Sequence, residues 1–277
     1  MDLWSLPYVN AARSALRRAG VTRLLGASSH ARNRFRRVQY DLQRPTEVAA
    51  SVGGAHGRIL VGDATEFVRV LSYREDRQII DAILRGLPTG GTYWDVGASL
   101  GVYSILAASR VGERGIVVAF EPESRSRARL EQNVGLNKLE NVRVMPYALG
   151  RERAEMSLHL ADHFTSGAHS LVMGGSGGGD SSSRVEVVRG DDLRREKGLP
   201  VPNSIKVDVE GFEEDVIDGL RETLSHADCR TFVCEVHFAV LESRGQGDAH
   251  ARIESTLRSL GFNRTRWIDH SHLAAYK

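Results

Sequence analysis

Two strand-like runs in the second half of the chain carry ionisable residues where a buried strand would be apolar. Lys206, Asp208 and Glu210 share one face of the first run by the two-residue period of a strand. The second run repeats the pattern with Glu235 and His237. Because ionisable groups on buried strands cost free energy unless they are paired or used, the pattern indicates a functional cluster. An internal salt bridge between Lys206 and a carboxylate is the alternative, but it leaves the histidine and the other acids unexplained.

This cluster is suited to two kinds of chemistry. His237 could remove a proton, with Glu235 or Asp208 orienting the ring, because histidine titrates near neutral pH. Alternatively, Asp208 and Glu235, with or without His237, could bind a divalent metal such as Mg²⁺ that acidifies a hydroxyl group. We favour the base, because the sequence shows no dedicated cage of oxygen ligands.

A glycine-containing loop earlier in the chain predicts a cofactor site. Residues 92–101 read as a strand, a tight turn and the start of a helix, in which Gly97 and Gly101 permit a sharp turn and a close approach to a ligand. The spacing is not the G-x-G-x-x-G of dinucleotide-binding proteins, which disfavours a nicotinamide oxidoreductase. Asp95 at the end of the strand suits a cofactor with a cationic amino group, such as S-adenosylmethionine, better than a pyrophosphate.

A second apolar run also ends in an acid, at Glu121 and Pro122. This acid follows Asp95 by roughly 25 residues, and a strand-end carboxylate at about that distance hydrogen-bonds ribose hydroxyls in the dinucleotide fold. The two strand ends together therefore predict a nucleoside-containing cofactor.

The elements that position these residues alternate between strand and helix patterns. Such alternation is typical of an α/β fold with a parallel sheet and helices on both faces, and the last two strands predict a hairpin that closes the sheet. A crossover helix between the two polar strands should make them neighbours. The predicted strands span 92–95, 115–122, 141–149, 184–188, 204–211, 232–237, 265–268 and 273–276. The predicted helices span 76–87, 102–109, 124–136, 213–224 and 249–260. Residues 58–71 read as a β-hairpin and residues 191–193 as a turn.

Composition excludes several classes of protein. The formal net charge of +2 is too small to argue for nucleic-acid binding. No apolar run reaches the roughly 20 residues of a membrane span, and the N-terminus lacks an apolar signal core. Cys234 lies in an apolar run and reads as a small buried hydrophobe, so we expect a reducing, cytoplasmic setting.

Two segments differ from the rest. Residues 1–50 form a predicted basic, helical extension, with apolar residues at helical spacing between 9 and 19. Its arginines suit an acidic partner, such as anionic lipid or a phosphorylated substrate, but we favour a solvated helical face that packs on the core or on a second copy in a homodimer. Residues 161–184 include a Gly/Ser run and read either as a lid over the substrate or as a plain flexible insertion.

The chain resembles the FkbM-type S-adenosylmethionine-dependent methyltransferases from about Arg58 to about His237. One departure is Ser99, which stands where the family usually has Asn. The matching motifs are 95–101 with Tyr103-Ser104, then 119–122, then Asn141-Val142 with 148–150, then 206–213, and finally 235–237.

This resemblance implies a class I methyltransferase domain over 51–277, built on a Rossmann-like, seven-stranded, mostly parallel sheet. It implies methyl transfer to a hydroxyl of a small molecule, such as a sugar, a glycolipid or a secondary metabolite. A non-catalytic cofactor-binding subunit is the alternative, which the intact acids argue against. The implied cofactor-binding residues are Asp95, Gly97, Ala98, Ser99, Gly101, Tyr103, Glu121, Pro122, Tyr147 and Ala148. The implied catalytic residues are His237, Asp208, Glu235, Lys206 and Glu210.

Overall fold

The computed structural model describes residues 21–160, 169–172 and 182–277. The chain enters through one long helix, a β-hairpin and two shorter helices before it reaches the central sheet. The helix predicted from apolar residues between 9 and 19 lies outside the described residues. The entry elements are α1 (Val21–Gln43), β1 (Glu47–Val52), β2 (Ala55–Leu60), α2 (Ala64–Leu71) and α3 (Arg77–Arg85).

The prediction of a hairpin over 58–71 was wrong. The hairpin lies earlier, where β1 pairs antiparallel with β2. Residues 64–71 form a helix because the Asp63 carboxylate accepts hydrogen bonds from the backbone N–H of Thr65 and Glu66, which caps its N-terminus. Phe67 and the apolar residues one turn later then face the core at helical spacing.

A seven-stranded sheet organises the rest of the chain, as predicted. Its order is β12-β13-β11-β10-β3-β4-β5, and β13 alone of these strands runs antiparallel to the others. The polar strands β10 and β11 are parallel neighbours, which confirms the crossover rule. The strands are β3 (Thr92–Val96), β4 (Ile116–Phe120), β5 (Val142–Met145), β10 (Ser204–Val207), β11 (Thr231–Glu235), β12 (Arg264–Trp267) and β13 (His272–Tyr276).

Helices bury both faces of this sheet. In β3, Tyr93 points into one hydrophobic core and Trp94 into the other, and both side chains are fully buried. Burial on both faces is the reason why strands of a parallel sheet read as continuous apolar runs. The covering helices are α4 (Val102–Val111), α5 (Ser124–Leu136), α6 (Gly190–Lys197), α7 (Glu213–Gly219), α8 (Arg221–Ser225), α9 (Phe238–Ser243) and α10 (Ala249–Ser259).

A smaller four-stranded sheet interrupts the repeat between β5 and β10. The run predicted as one strand over 141–149 breaks at Pro146, and its second part joins this sheet instead. Within the segment 161–184, which was predicted as a loop, residues 169–172 and 182–184 belong to strands. Residues 161–168 and 173–181 lie outside the described residues. Residues 190–197 form a helix where only a turn was predicted. The four strands are β6 (Tyr147–Gly150), β7 (Ala154–Leu160), β8 (His169–Val172) and β9 (Ser182–Arg189).

Across the described residues, no helix combines the length and the apolar character needed to span a bilayer.

Candidate active site

The two glycines of the loop after β3 are required by contacts within the protein. Gly97 has φ 82°, and a Cβ there would lie 1.9 Å from the backbone oxygen of Asp208. Gly101 has φ 86°, and a Cβ there would lie 2.2 Å from Leu130 Cδ1 on α5. Both positions therefore need glycine, because the backbone is left-handed and the neighbouring atoms leave no room. Contacts within the protein therefore explain both glycines, and a close approach of the loop to a ligand stays a prediction.

Glu121 links this loop to the end of β4. Its buried carboxylate accepts hydrogen bonds from the backbone N–H of Ser99 (2.7 Å) and of Glu123 (2.9 Å). Burial raises the pKa of Glu121 to about 7, against the opposing effect of these two hydrogen bonds. Ser99 adopts φ 50°, so the loop holds a non-glycine residue in the left-handed region beside the carboxylate.

Asp95 lies behind the cavity wall. Its fully buried carboxylate accepts a hydrogen bond from Ser104 Oγ (2.6 Å), and its Oδ1, 3.9 Å from Lys206 Nζ, has no hydrogen-bond partner among the described residues. Lys206 Nζ donates to Asp208 Oδ2 at 3.1 Å. Burial lowers the pKa of Lys206, but the two aspartates outweigh it and raise that pKa above its ordinary value. The salt bridge considered as an alternative therefore forms, and its Asp208 also lies 3.6 Å from His237 Nε2.

His237 lies between the end of β11 and α9, surrounded by carboxylates. Its Nδ1 is 2.7 Å from Oε1 of the fully buried Glu213. Its Nε2 is 3.2 Å from Glu210, 3.6 Å from Asp208 and 4.0 Å from Glu235. Burial lowers the pKa of His237, but the hydrogen bond with Glu213 and the neighbouring negative charges raise it to about 9.

The predicted ionisable cluster comes together, but not through strand periodicity. β10 ends at Val207, so Asp208 and Glu210 lie in the following loop and the prediction that they extend one strand face was wrong. Glu210 has φ 53°, a left-handed conformation that interrupts the strand alternation. Burial raises the pKa of Glu210 to about 7, since it outweighs the attraction of His237.

Sequence reasoning missed Glu213 and His272 as parts of this site. Glu213 belongs to the motif quoted at 206–213, so its position was visible, but its pairing with His237 depends on the turn after β10. His272 faces Glu235 across the antiparallel β11–β13 pair, with its Nε2 3.5 Å from a Glu235 oxygen and its Nδ1 3.0 Å from Asp269. Burial lowers the pKa of His272, but Asp269 and Glu235 raise it to about 10.

A third polar group lies between the loop and the histidine cluster. Tyr103 on α4 donates to Asp76 at 3.1 Å, and Lys206 Nζ lies 4.6 Å from the centre of its ring. Burial raises the pKa of Asp76 to about 6. Asp76 was predicted only as the first residue of a helix, because its contact with Tyr103 joins residues far apart in the chain.

One cavity of about 570 Å³ joins these groups, a size typical of small-molecule sites. We call its wall at Gly97, Ala98, Ser99, Glu121 and Pro122 the loop side, and its wall at Asp208, Glu210, Glu235, His237 and His272 the histidine side. Of the predicted site residues, Asp95 and Gly101 lie behind the wall. The others line the cavity: Gly97, Ala98, Ser99, Tyr103, Glu121, Pro122, Tyr147, Ala148, Lys206, Asp208, Glu210, Glu235 and His237.

The histidine side also has the donor set for a metal ion. Asp208, Glu235 and His237 each offer one ligand atom, and these atoms lie within 4.8 Å of one another. Two carboxylates and an imidazole are ligands that several divalent cations accept.

Fold and site together define a class of protein. A sheet with six parallel strands, an antiparallel strand next to one edge and a glycine loop after its first strand is the class I methyltransferase fold. The chain belongs to the family described as the FkbM methyltransferase domain, whose sequence profile matches residues 95–264.

Known proteins with detectable similarity include two curated relatives and a solved structure. Hexuronic acid methyltransferase AglP of Haloferax volcanii is 26% identical over 191 residues, which cover 69% of this chain and 74% of that protein. The AMB antimetabolite synthetase AmbE of Pseudomonas aeruginosa is 29% identical over 207 residues, which cover 62% of this chain but only 10% of that protein. A SAM-dependent methyltransferase structure from Aquifex aeolicus aligns with a TM-score of 0.44 and 14% identity, over 76% of this chain and 96% of that one.

Proposed function

We propose that this protein transfers a methyl group from S-adenosylmethionine to a hydroxyl of a sugar-type small molecule, with His237 as the general base. The observation that carries the proposal is that one cavity joins the two groups of residues. On one side lie the glycine loop and a carboxylate that can accept hydrogen bonds from ribose hydroxyls, and on the other side lies the histidine–carboxylate cluster. Methyl transfer is an in-line displacement, so a cavity that holds donor and acceptor together supplies much of the rate.

The loop side fits the cofactor in its chemistry. Glu121 offers carboxylate lone pairs to ribose hydroxyls while two backbone amides fix its orientation. Tyr147 and Ala148 provide a wall for the adenine. When bound, S-adenosylmethionine supplies a methyl group on a positively charged sulfonium. The carboxylate surplus on the histidine side favours such a positive charge nearby.

His237 would take the proton of the acceptor at Nε2. Nδ1 is held by Glu213, which leaves Nε2 as the nitrogen that faces the cavity groups. With a pKa of about 9 the ring is protonated at neutral pH in the free enzyme. A cation in the cavity repels the imidazolium and lowers this pKa, so the neutral, proton-accepting ring forms when the donor is present. The acceptor oxygen then loses its proton to Nε2 as it gains the methyl group.

A second candidate mechanism uses a divalent metal for the same reaction. The three ligand atoms of Asp208, Glu235 and His237 favour it, because they lie within 4.8 Å of one another. A cation held there would lower the pKa of the acceptor hydroxyl, and His237 would then be a ligand instead of a base.

The similarity to AglP directs the choice of acceptors to test. Labelled S-adenosylmethionine should be incubated with glycosides of neutral hexoses and of hexuronic acids, and the product should be treated with alkali. A carboxylate acceptor carries no proton to remove, so a site with a base is expected to make an alkali-stable methyl ether on a hydroxyl. An alkali-labile methyl ester would contradict the proposed chemistry, and no transfer to any sugar would contradict the acceptor class.

Chelation separates the two mechanisms. Turnover after exhaustive dialysis against EDTA should persist if His237 is the base. A loss that Mg²⁺ or Mn²⁺ restores would assign the three residues to metal binding instead.

A further inference from the structure

Helix α1 presents an apolar stripe to solvent. Phe35, Val38 and Leu42 follow one another at helical spacing, and 70%, 50% and 81% of their surfaces are exposed. They are the exposed large hydrophobic residues among the side chains that the structure describes. A soluble helix usually exposes charged residues on its outer face. Three large apolar residues exposed in one row therefore indicate a binding surface.

The opposite face of α1 is packed against the domain. Tyr40 is buried, lies 5.7 Å from Phe67 between ring centres, and donates to the backbone oxygen of Gly62. Arg36 pairs with Glu75. The helix is therefore held in place by its inner face, and the stripe is not its means of attachment to the protein.

The positive charge of α1 indicates the chemistry of the partner that its outer face binds. Residues 21–44 contain six arginines and one acid, Asp41. Two copies of so basic a helix repel each other, whereas an anionic surface attracts both its charges and its apolar row. The six arginines are Arg23, Arg32, Arg34, Arg36, Arg37 and Arg44. Arg32 and Arg36 share Glu75, and Arg44 pairs with Asp41, so six positive charges less these two acids leave a net charge of +4.

We propose that the outer face of α1, consisting of Phe35, Val38, Leu42 and the flanking Arg34, binds the surface of an anionic lipid bilayer. The sequence alone favoured a solvated helical face that packs on the core or on a second copy, and the contacts of Tyr40 agree with packing on the core. The proposal takes up the alternative of an acidic partner for the outer face. Arg32 and Glu75 line the cavity and form an ion pair at 3.7 Å, so the cavity rim adjoins the stripe. Bound in this way, the protein would hold its cavity next to the lipid headgroups.

The test is flotation of the full chain with vesicles of pure phosphatidylcholine and with vesicles of equal phosphatidylcholine and phosphatidylglycerol. We expect binding to the anionic vesicles only, weakened by salt. Phe35→Ser combined with Leu42→Ser, and separately Arg34→Glu, should each lower the bound fraction about tenfold. Arg114→Glu is the matched control, because it makes the same charge change at an exposed site at the amino end of β4.

Circular dichroism and S-adenosylmethionine binding establish that each variant is folded, since none of the replaced residues contacts Glu121 or the glycine loop. Equal binding to both vesicle types, or equal binding by wild type and the Phe35/Leu42 variant, would overturn the proposal. So would a wild-type dimer in light scattering that the Phe35/Leu42 variant converts to a monomer, because the stripe would then belong to a second copy of the chain.

Discussion

At the ends of β3 and β4 the cavity wall consists of backbone, small side chains and one carboxylate, whereas at the ends of β10, β11 and β13 it consists of ionisable side chains. On the loop side, both oxygens of Glu121 already accept backbone hydrogen bonds. On the histidine side, His237 has four carboxylates within 4.0 Å, which raise its pKa against the effect of burial. Asp269 and Glu235 raise the pKa of His272 in the same way.

This difference separates binding from chemistry. Fixed amides and a pre-oriented acid can hold a nucleoside by hydrogen bonds alone. A cluster of coupled acids and histidines responds strongly to any cation or proton that enters it. Substitutions on the two sides should therefore affect different measured quantities. Lys206 contacts Asp208 and approaches Asp95 behind the loop, so its substitution should affect the stability of the whole protein.

The largest effect is expected for Lys206→Met. Removal of the buried ammonium leaves the fully buried Asp95 without its positive partner, while Asp208 keeps His237 at 3.6 Å. Breaking a buried pair in this way costs about 3–5 kcal/mol. Urea unfolding measures the change. The exposed Lys197→Met is the control and should unfold like the wild type. A loss below about 1 kcal/mol would show that the ion pair is not structural.

His237→Gln should lower kcat by roughly a hundredfold or more, because the acceptor loses its general base. The dissociation constant for S-adenosylmethionine should change little, since the loop side remains intact. Single-turnover kinetics and calorimetry give the two quantities. His226→Gln replaces an exposed histidine that precedes the amino end of β11, and it should leave both unchanged. Near-normal turnover of the His237 variant would remove the histidine from the mechanism.

Glu121→Gln should show the reverse pattern. Above pH 7, where Glu121 is ionised, the affinity for S-adenosylmethionine should fall about tenfold or more, because a hydrogen bond to a charged acceptor is lost. The kcat at saturating cofactor should stay within a few-fold of the wild type. A collapse of kcat with unchanged affinity would reverse the assignment of the two sides.

A pH dependence of stability is also expected, and it arises on the histidine side. Burial lowers the pKa of His237, but Glu213 and the nearby acids raise it from 6.5 to about 9. The folded state therefore gains stability that is fully present below pH 6.5 and is lost as the pH rises through about 9. Linkage converts the rise of this pKa from 6.5 to about 9 into a loss of roughly 3 kcal/mol across this range. Glu213→Gln should flatten the profile, and an unchanged slope in this variant would exclude Glu213 as the source.

Sequence patterns predicted the fold where local periodicity and tertiary burial agree. The strand that ends at Val96, the helix over 124–136 and the terminal hairpin follow from apolar runs and turn residues that tertiary contacts do not override. The prediction of a hairpin over 58–71 was wrong because, over a few residues, the alternation of a strand resembles one turn of an amphipathic helix. The cap supplied by Asp63 decides between the two.

The ionisable residues of the site were visible in the sequence, but their partners were not. Lys206, Glu235 and His237 stand out because charge in an apolar strand needs an explanation. That His237 is held by Glu213, and that Glu235 faces His272, depends on a left-handed turn and on a strand register. Neither feature is encoded by residue types at local spacing.

By itself the sequence determined the alternation of strands and helices, the glycine loop and the identity of the acids that could do chemistry, because hydrophobic period and residue type are local properties. The tertiary structure alone decided which acid orients His237, that Asp95 lies behind the cavity, and that Phe35, Val38 and Leu42 face solvent. Distances between residues far apart in the chain are set by packing, and packing is a property of the whole fold.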